Sequence, residues 1–153
     1  MSDTPIIRPV RPEDHAHWLP LWDGYNAFYG RVGETALAPE ITAMTWQRFF
    51  DGYEPMHALV AERDGVLLGL VHYLYHRATL AIAPYCYLHD LFTAPAARGQ
   101  GVGRALIEAV YAEARAARAA RVYWLTQSTN ATARVLYDKL AEEPGFVVYR
   151  HTL

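Results

Sequence analysis

The sequence predicts an α+β or mixed α/β sandwich, in which helices pack against a central sheet. Two apolar segments at 57–63 and 66–75 flank Asp64-Gly65, a pair that favours a tight antiparallel hairpin. Apolar residues then recur at three- and four-residue spacing between Leu106 and Ala114, which indicates a helix with one buried face. Strand and helix patterns alternate after that, so both element types contribute to the same core.

The first half of the chain is predicted to contain a strand, two helices and the hairpin, in that order. Pro12 suits the first turn of a helix, since its fixed φ matches and its missing N–H has no partner there anyway. Pro20 is expected to bend that helix. The predicted elements are a strand at 6–10, a helix through 18–25, a helix at 42–50 and strands at 57–63 and 66–75.

The second half alternates strands with helices up to the end of the chain. Pro84 and Pro95 bound a strand, because proline interrupts sheet pairing. The predicted elements are a strand at 86–93, a helix after Gly103, a strand at 122–126, a helix at 130–140 and a closing strand at 146–151. No linker-like composition divides the chain, so we expect a single domain over residues 1–153.

Composition excludes several classes of partner. Lys and Arg total 14 against 16 Asp and Glu, a net charge of −2, which offers no overall positive field for nucleic acid. The longest stretches without a charged residue, 65–76 and 78–89, fall short of the ~20 residues that cross a bilayer. A lone Cys86 and the lack of a signal-like start predict a cytoplasmic protein without nucleic-acid or membrane partners.

A glycine loop between the strand at 86–93 and the following helix is the strongest functional motif. Gly99, Gly101 and Gly103 leave consecutive backbone N–H groups without side-chain cover, and the helix start adds positive charge. Arg98 and Arg104 flank these glycines, so the loop suits a phosphate or pyrophosphate, although a simple connecting turn would use the same residues. The spacing matches neither the dinucleotide fingerprint nor the P-loop.

Two blocks of sequence resemble the GNAT superfamily of N-acetyltransferases. Arg98-x-x-Gly101-x-Gly103, after a strand that ends Asp90-Leu91-Phe92-Thr93, is similar to the superfamily's motif A. The segment 130–137, followed by Gly145-Phe146, resembles its second conserved block. The resemblance covers essentially the whole chain. It implies a mixed, mostly antiparallel central sheet flanked by helices, with a splayed strand pair where acetyl-CoA binds.

The resemblance also implies which residues bind acetyl-CoA, the co-substrate. Backbone N–H groups of 100–104 would hold its pyrophosphate, and the strand end near Thr93 would pair with its pantetheine arm where the neighbouring strand separates, near 125–126. The implied coenzyme-binding residues are Leu91, Phe92, Thr93, Arg98, Gly99, Gln100, Gly101, Val102, Gly103, Arg104, Asn130, Ala133, Arg134 and Tyr137.

Acetyl transfer to an amine needs a neutral amine and a proton for the departing thiolate. A Lys-like amine of pKa ~10.4 is neutral in only about one molecule per thousand at pH 7, so the proton needs a route out. Tyr137 is the candidate acid, since Asn130, Ala133 and Tyr137 share one helix face. The alternative is that Tyr137 packs in the core.

His89 and Asp90 are the candidates for the base and for the amine-binding group. A His can relay a proton near neutral pH, whereas an Asp can attract an ammonium or act through water. Strand alternation places the two side chains on opposite faces unless a bulge intervenes, and either could instead serve only the sheet or a nearby Arg. The other His residues show no metal-ligand spacing, so no metal is expected.

The resulting hypothesis is an enzyme that moves acetyl directly from acetyl-CoA to a primary amine of a small molecule. The strand at 87–92 is similar to that of spermidine/spermine and thialysine acetyltransferases, although His89 replaces the first acid of their acidic pair. Other segments resemble the fungal branch with histone and D-amino-acid activity. Polyamine-like and amino-acid acceptors both stay open, as do a protein lysine or N-terminal acetyltransferase and a non-catalytic acyl-CoA sensor. Superfamily members are often dimers, which makes a homodimer an expectation.

Overall fold

The computed structural model of the protein describes residues 3–153 and centres on one five-stranded sheet. The strands lie in chain order, with antiparallel pairing from the first to the fourth and parallel pairing between the fourth and fifth. This confirms the predicted mixed, mostly antiparallel sheet. The strands are β1 Ile6–Pro9, β2 Met56–Arg63, β3 Val66–His76, β4 Tyr85–Thr93 and β5 Arg121–Tyr123.

Four α-helices flank the sheet: α1 His15–Phe28, α2 Pro39–Arg48, α3 Val102–Ala116 and α4 Ala131–Leu140. A 3-10 turn at Pro12–Asp14 leads into α1, and the helix continues through Pro20. The second helix begins three residues earlier than predicted, because Pro39 occupies its first turn. Among residues 3–153, no helix is both long enough and apolar enough to span a bilayer.

The predicted hairpin between β2 and β3 is confirmed. Asp64 and Gly65 both adopt positive φ, 52° and 79°. Those two left-handed residues define a type I′ turn, whose twist matches that of the paired strands. The turn sets the register that brings Ala58 of β2 opposite His72 of β3.

Apolar side chains form two clusters, one on each face of the sheet. One face packs against α1 and α2, with Trp18 of α1 and Leu70 of β3 completely buried. The other face packs against α3 and α4, with Leu106 and Ile107 of α3 completely buried. We call these the α1 layer and the α3 layer.

The end of the chain departs from the prediction. The strand predicted at 122–126 is shorter and shifted, as β5 covers Arg121–Tyr123. The closing strand predicted at 146–151 is wrong, because no residue of that segment pairs with a strand in the described part of the chain. Its side chains from Phe146 to Tyr149 are 65–94% exposed. Apolar residues alone do not make a strand; the backbone also needs a sheet edge to pair with.

Candidate functional site

The glycine loop forms an N–H cradle at the start of α3. Gly99 and Gly101 adopt φ of 76° and 82°, a region that glycine occupies without strain. Within residues 3–153, the backbone N–H groups of Val102, Gly103 and Arg104 have no hydrogen-bond acceptor, and the first such bond comes from Ala105 to the Gly101 carbonyl. Three unpaired donors at the positive end of a helix fit one anionic group, as a pyrophosphate requires.

The arginines predicted around this cradle each have a protein partner. Arg98 Nε donates to the Thr93 carbonyl at 3.2 Å, and Arg104 Nε pairs with Glu108 at 3.1 Å along α3. Arg134 Nη1 donates to the Ser128 carbonyl at 2.8 Å, at the start of α4. None of these three contacts directs a guanidinium group at the N–H groups of the cradle.

Arg63 is a cation beside the cradle that sequence reasoning missed. Its Nη2 donates to the Gln100 side-chain oxygen at 3.0 Å, and the Gln100 amide donates to the Ala96 carbonyl at 3.2 Å. These bonds hold the loop against the end of β2. Arg63 is 37 residues from Gln100, so no local pattern could have linked them.

Strands β4 and β5 separate beside the cradle, as the resemblance implied. Their pairing stops at Tyr87 and Tyr123, and no described strand pairs with that side of β4 beyond Tyr87. We call residues 88–93 on that side the open edge. A Cβ on Gly103 would lie 3.7 Å from Thr93 Oγ1 and 3.6 Å from Leu136 Cδ2, so the start of α3, the open edge and α4 meet there. Phe92 turns its ring into the α1 layer and its backbone oxygen toward β3, where a Cβ on Gly69 would meet it at 2.8 Å.

A β-bulge at His89 changes which face the rest of β4 presents. His72 pairs with Asp90 but Tyr73 pairs with Leu88, so His89 is an extra residue with no partner on β3. Cys86 and Leu88 therefore belong to the α3 layer, whereas Asp90 lies on the α1 side with His72. The sequence-based argument that at most one of His89 and Asp90 reaches the site made an exception for a bulge, and the bulge is present.

His89 and Asp90 contact each other and extend into a buried chain of hydrogen bonds. The Asp90 carboxylate accepts bonds from His89 Nδ1 at 2.8 Å and from His72 Nδ1 at 2.9 Å. Trp18 Nε1 donates to His72 Nε2 at 3.1 Å. An indole nitrogen only donates, so His72 carries its proton on Nδ1 and both imidazoles donate to Asp90. In His89, this leaves Nε2 as the ring nitrogen that can accept a proton.

The same contacts set the charges of the pair. Burial of Asp90 opposes its ionisation, but the hydrogen bonds from His72 and His89 outweigh it and lower the pKa of Asp90 below its usual range. The hydrogen bond to Asp90 is the main cause that raises the pKa of His89. The His89 side chain is 49% exposed and Asp90 is 5% exposed, so a solvent-accessible imidazole is oriented by a buried carboxylate.

Tyr137 lies on α4 across from the open edge. Its ring packs edge-on against Trp124, with 5.4 Å between ring centroids, and burial raises the pKa of its hydroxyl to about 12. The charge that Tyr29 would carry adds to this rise. Asn130, at the start of the same helix, donates from Nδ2 to Thr126 Oγ1 at 3.2 Å.

Tyr25 and Tyr29 at the end of α1 form an aromatic wall, with 5.1 Å between their ring centroids, and Tyr29 is one of the residues that sequence reasoning allowed on the acceptor side. Burial is the main cause that raises the pKa of Tyr25, and the nearby charge of Asp90 raises it further. Tyr29 follows one helical turn later, and the Arg31 guanidinium lies over both rings. Three acidic side chains in this part of the chain, Asp23 of α1, Glu40 of α2 and Glu34 in the turn between those helices, are exposed to solvent.

The site therefore combines an N–H cradle at a helix start with an unpaired strand edge that carries a hydrogen-bonded His–Asp pair. Residues 18–141 match the family model described as the acetyltransferase (GNAT) family. The chain therefore belongs to that family and is an acetyl-CoA-dependent N-acetyltransferase. In the described residues, no group of His, Cys, Asp or Glu side chains has the geometry of a metal site.

Named relatives cover nearly the same length. A D-amino-acid N-acetyltransferase of Saccharomyces cerevisiae is 32% identical over 98% of this chain and 92% of its own. An aminoglycoside N(6')-acetyltransferase type 1 of Klebsiella aerogenes is 31% identical over 87% of this chain and 86% of its own. The solved structure of AAC(6')-Iy with a CoA-S-monomethyl-acetylneamine bisubstrate analogue superposes with a TM-score of 0.79 at 18% identity, covering 97% and 98% of the chains. That last likeness shows the shared fold.

Proposed function

We propose that the protein, as a single domain, transfers acetyl directly to the primary amine of a small molecule, with His89 as the base and Tyr137 as the donor to the leaving group. One observation carries this proposal. The hydrogen-bonded pair of His89 and Asp90 lies on the same strand that leads to the N–H cradle, with the open edge between them. The proposed base lies on β4, and the anion site lies at the start of α3, the next helix along the chain, so the fold holds both in fixed positions.

The coenzyme side uses main-chain groups. The N–H groups of Val102, Gly103 and Arg104 would hold the pyrophosphate, and Arg63 and Arg98 add positive charge nearby. The open edge from Leu91 to Thr93 offers backbone groups to the pantetheine arm, with Asn130, Ala133 and Arg134 of α4 opposite. When bound, acetyl-CoA supplies the thioester carbonyl that the amine attacks and the thiolate that leaves.

The acceptor side uses His89. Its Nε2 takes one proton from the ammonium, and Asp90 stabilises the imidazolium that results. The neutral nitrogen then forms the N–C bond as the C–S bond breaks. The second proton that nitrogen loses ends on the sulfur, so atoms and charges balance without a metal or a covalent enzyme intermediate.

Tyr137 supports the departing sulfur by hydrogen bonding. With a pKa of about 12, its hydroxyl stays protonated at any ordinary assay pH, as a donor must. Complete proton transfer to a thiolate of pKa ~8.5 would be uphill by about 5 kcal/mol, since each pKa unit corresponds to about 1.4 kcal/mol. Tyr137 is therefore a hydrogen-bond donor to developing charge, and the proton that the thiol finally carries comes from nitrogen.

The relatives support a small molecule as acceptor, because one is named for D-amino acids and another for aminoglycosides. An amino-acid or polyamine-like amine fits that class. A cytoplasmic location accords with Cys86, whose buried thiol has its pKa raised to about 11 by burial and is thus unreactive.

A homodimer is also part of the proposal. The apolar side chains of 146–149 are exposed, and the outer side of β5 has no partner strand among the described residues. A second copy could cover both surfaces. Light scattering after gel filtration, over protein concentrations from 1 to 100 µM, should give about twice the 17.3 kDa chain mass. The mass of a single chain at every concentration would refute the homodimer.

The test is thiol release from acetyl-CoA with a panel of primary amines. His89→Gln should lower kcat by about 10²-fold or more, the usual range for acid–base catalysis, and Tyr137→Phe should lower it by about 10²-fold or more because a hydrogen bond to developing charge is lost. The matched controls Tyr53→Phe and His17→Gln change exposed residues and should leave the rate unchanged. Calorimetric binding of acetyl-CoA should persist in all four variants. Full turnover in both site variants would refute the assigned roles, and binding without turnover of any amine would favour an acyl-CoA sensor.

A further inference from the structure

Arg31 is held at the end of α1 by a specific backbone turn. Gly30 adopts a left-handed φ of 79°, its N–H bonds to the Ala27 carbonyl at 3.0 Å, and the N–H of Arg31 bonds to the Asn26 carbonyl at 2.9 Å. These two bonds are the pattern of a Schellman motif, which ends a helix by reversing the chain. The reversal brings the side chain of Arg31 back over the helix end instead of out into solvent.

The guanidinium of Arg31 is oriented but only partly used. Its Nε donates to Asn26 Oδ1 at 2.7 Å, and Asn26 Nδ2 donates to the Trp22 carbonyl at 2.9 Å, which fixes the orientation of that buried amide. The guanidinium carbon lies 5.7 Å from the Tyr25 ring centroid and 5.5 Å from that of Tyr29. No acceptor within residues 3–153 takes the N–H groups of Nη1 and Nη2. Arg31 therefore presents an unused two-nitrogen edge.

That edge belongs to the acceptor side of the site. Tyr25 stacks on Trp22, with 5.5 Å between ring centroids, and the Trp22 ring lies 5.3 Å from that of His72, which donates to Asp90. The charge of Arg31 also opposes the rise in the pKa of His89 that the hydrogen bond to Asp90 produces. Arg31 thus lies over Tyr25 on the α1 side of the sheet, where Asp90 holds His89 at 2.8 Å.

We propose that Arg31 binds the carboxylate of the acceptor, so that the enzyme selects α-amino acids among primary amines; this rests on the proposed function, in which His89 receives the amine's proton. The Nη1 and Nη2 edge matches the two oxygens of a carboxylate, which is the strongest common pairing of this group. An α-amino acid carries its carboxylate one carbon away from its amine. One molecule can therefore meet the guanidinium with one end and the base with the other.

The same charges disfavour a polyamine. Both oxygens of Asp90 already accept hydrogen bonds from imidazoles. The carboxylate is therefore occupied and does not offer a binding site for the second ammonium group of a polyamine. A fixed guanidinium repels a substrate that carries further positive charge. The site thus offers one cation and one base, which complements a zwitterion better than a polycation.

The experiment compares acceptors that differ only in the carboxylate. Thiol release is measured with D-phenylalanine, L-phenylalanine and phenethylamine, using the wild type, Arg31→Gln, Arg31→Lys and the control Arg118→Gln, which changes an exposed residue at the far end of α3. For the wild type, kcat/KM should favour at least one phenylalanine enantiomer over phenethylamine by about 10-fold or more. Arg31→Gln should lower kcat/KM for that amino acid by about 10- to 100-fold, the usual loss for a hydrogen bond to a charged group, with phenethylamine within about threefold. Arg31→Lys should fall between, because it keeps the charge and loses the planar edge.

Each alternative has its own outcome. Equal losses for amino acid and amine in Arg31→Gln would show that Arg31 only supports the fold, and would overturn the proposal while leaving the proposed function intact. A wild type that turns over phenethylamine as well as either amino acid would overturn it too. No thiol release with any amine would overturn the proposed function and this inference together. Acetyl-CoA binding and the circular dichroism spectrum, unchanged in every variant, verify that the comparison uses folded protein.

Discussion

Gly69 of β3 occupies a position where the sheet and α3 leave no room for a side chain. A Cβ there would lie 2.8 Å from the Phe92 carbonyl oxygen and 3.1 Å from both Leu106 Cδ1 and Val102 Cγ1. Ordinary contacts begin near 3.4 Å, so Gly69→Ala must push a backbone oxygen away by about 0.6 Å. Overpacking of this kind costs about 1–3 kcal/mol. We expect the upper part of that range, because the nearest atom is backbone in a paired strand.

The expected loss converts to a fall in Tm of about 4–12 °C for a chain of this size. Urea unfolding at 15 °C, followed by tryptophan fluorescence and by circular dichroism, measures the free energy of unfolding directly. Gly52→Ala is the matched control, since nothing lies within 4 Å of a Cβ there, and it should change stability by less than about 0.5 kcal/mol. Gly69 pairs with Thr93 at the strand end, so acetyl-CoA affinity should fall as well. Equal stability of the two variants would refute the packing argument.

Two further predictions concern charge. Asp90→Asn removes the hydrogen bond that raises the pKa of His89, so the acid limb of the kcat/KM profile, where the base becomes protonated, should move to lower pH; an unmoved limb in rate measurements from pH 5 to 9 would exclude His89 as the base. Asp14 accepts two hydrogen bonds from Arg8, which lower the pKa of Asp14. Asp14→Asn should therefore cost about 1–3 kcal/mol at pH 7, where the carboxylate is fully ionised in both states. This difference from wild type, measured by urea unfolding, should shrink below about pH 4 as the carboxylate takes up a proton, and a constant difference down to pH 2 would contradict it.

Local sequence signals predicted the elements that depend on local chemistry. Asp64-Gly65 specifies its own turn, and alternate glycines specify a loop with exposed N–H groups, so the hairpin and the cradle were both predictable. The absence of a strand at 146–151 was not predictable. Its apolar residues favour a strand, but whether a strand forms depends on a sheet edge that other parts of the chain supply. Pairing is a property of two segments, and one segment does not reveal whether its partner is accessible.

The site was predictable in its residues and not in its geometry. His89 and Asp90 stand out as ionisable residues in an apolar strand, but the bulge that joins them comes from the register with β3. His72 and Trp18 are 54 residues apart and looked like ordinary core residues, yet their hydrogen bond sets the proton position next to Asp90. Arg31 gave no signal either, since its meaning depends on the turn at Gly30 and on rings one turn back along the helix.

Because of the bulge in β4, the proposed coenzyme-binding loop and the proposed acceptor side lie on different layers of the fold. The proposed coenzyme loop begins α3 and rests on the α3 layer, whereas Trp18, Tyr25 and Asp90 belong to the α1 side. Because the sheet separates these layers, substitutions on opposite sides share few neighbours, and their effects on binding energy should add to within about 0.5 kcal/mol. Acceptor preference is then a modular property: the α1 side could be redesigned for a new amine while the coenzyme continues to bind in its original place.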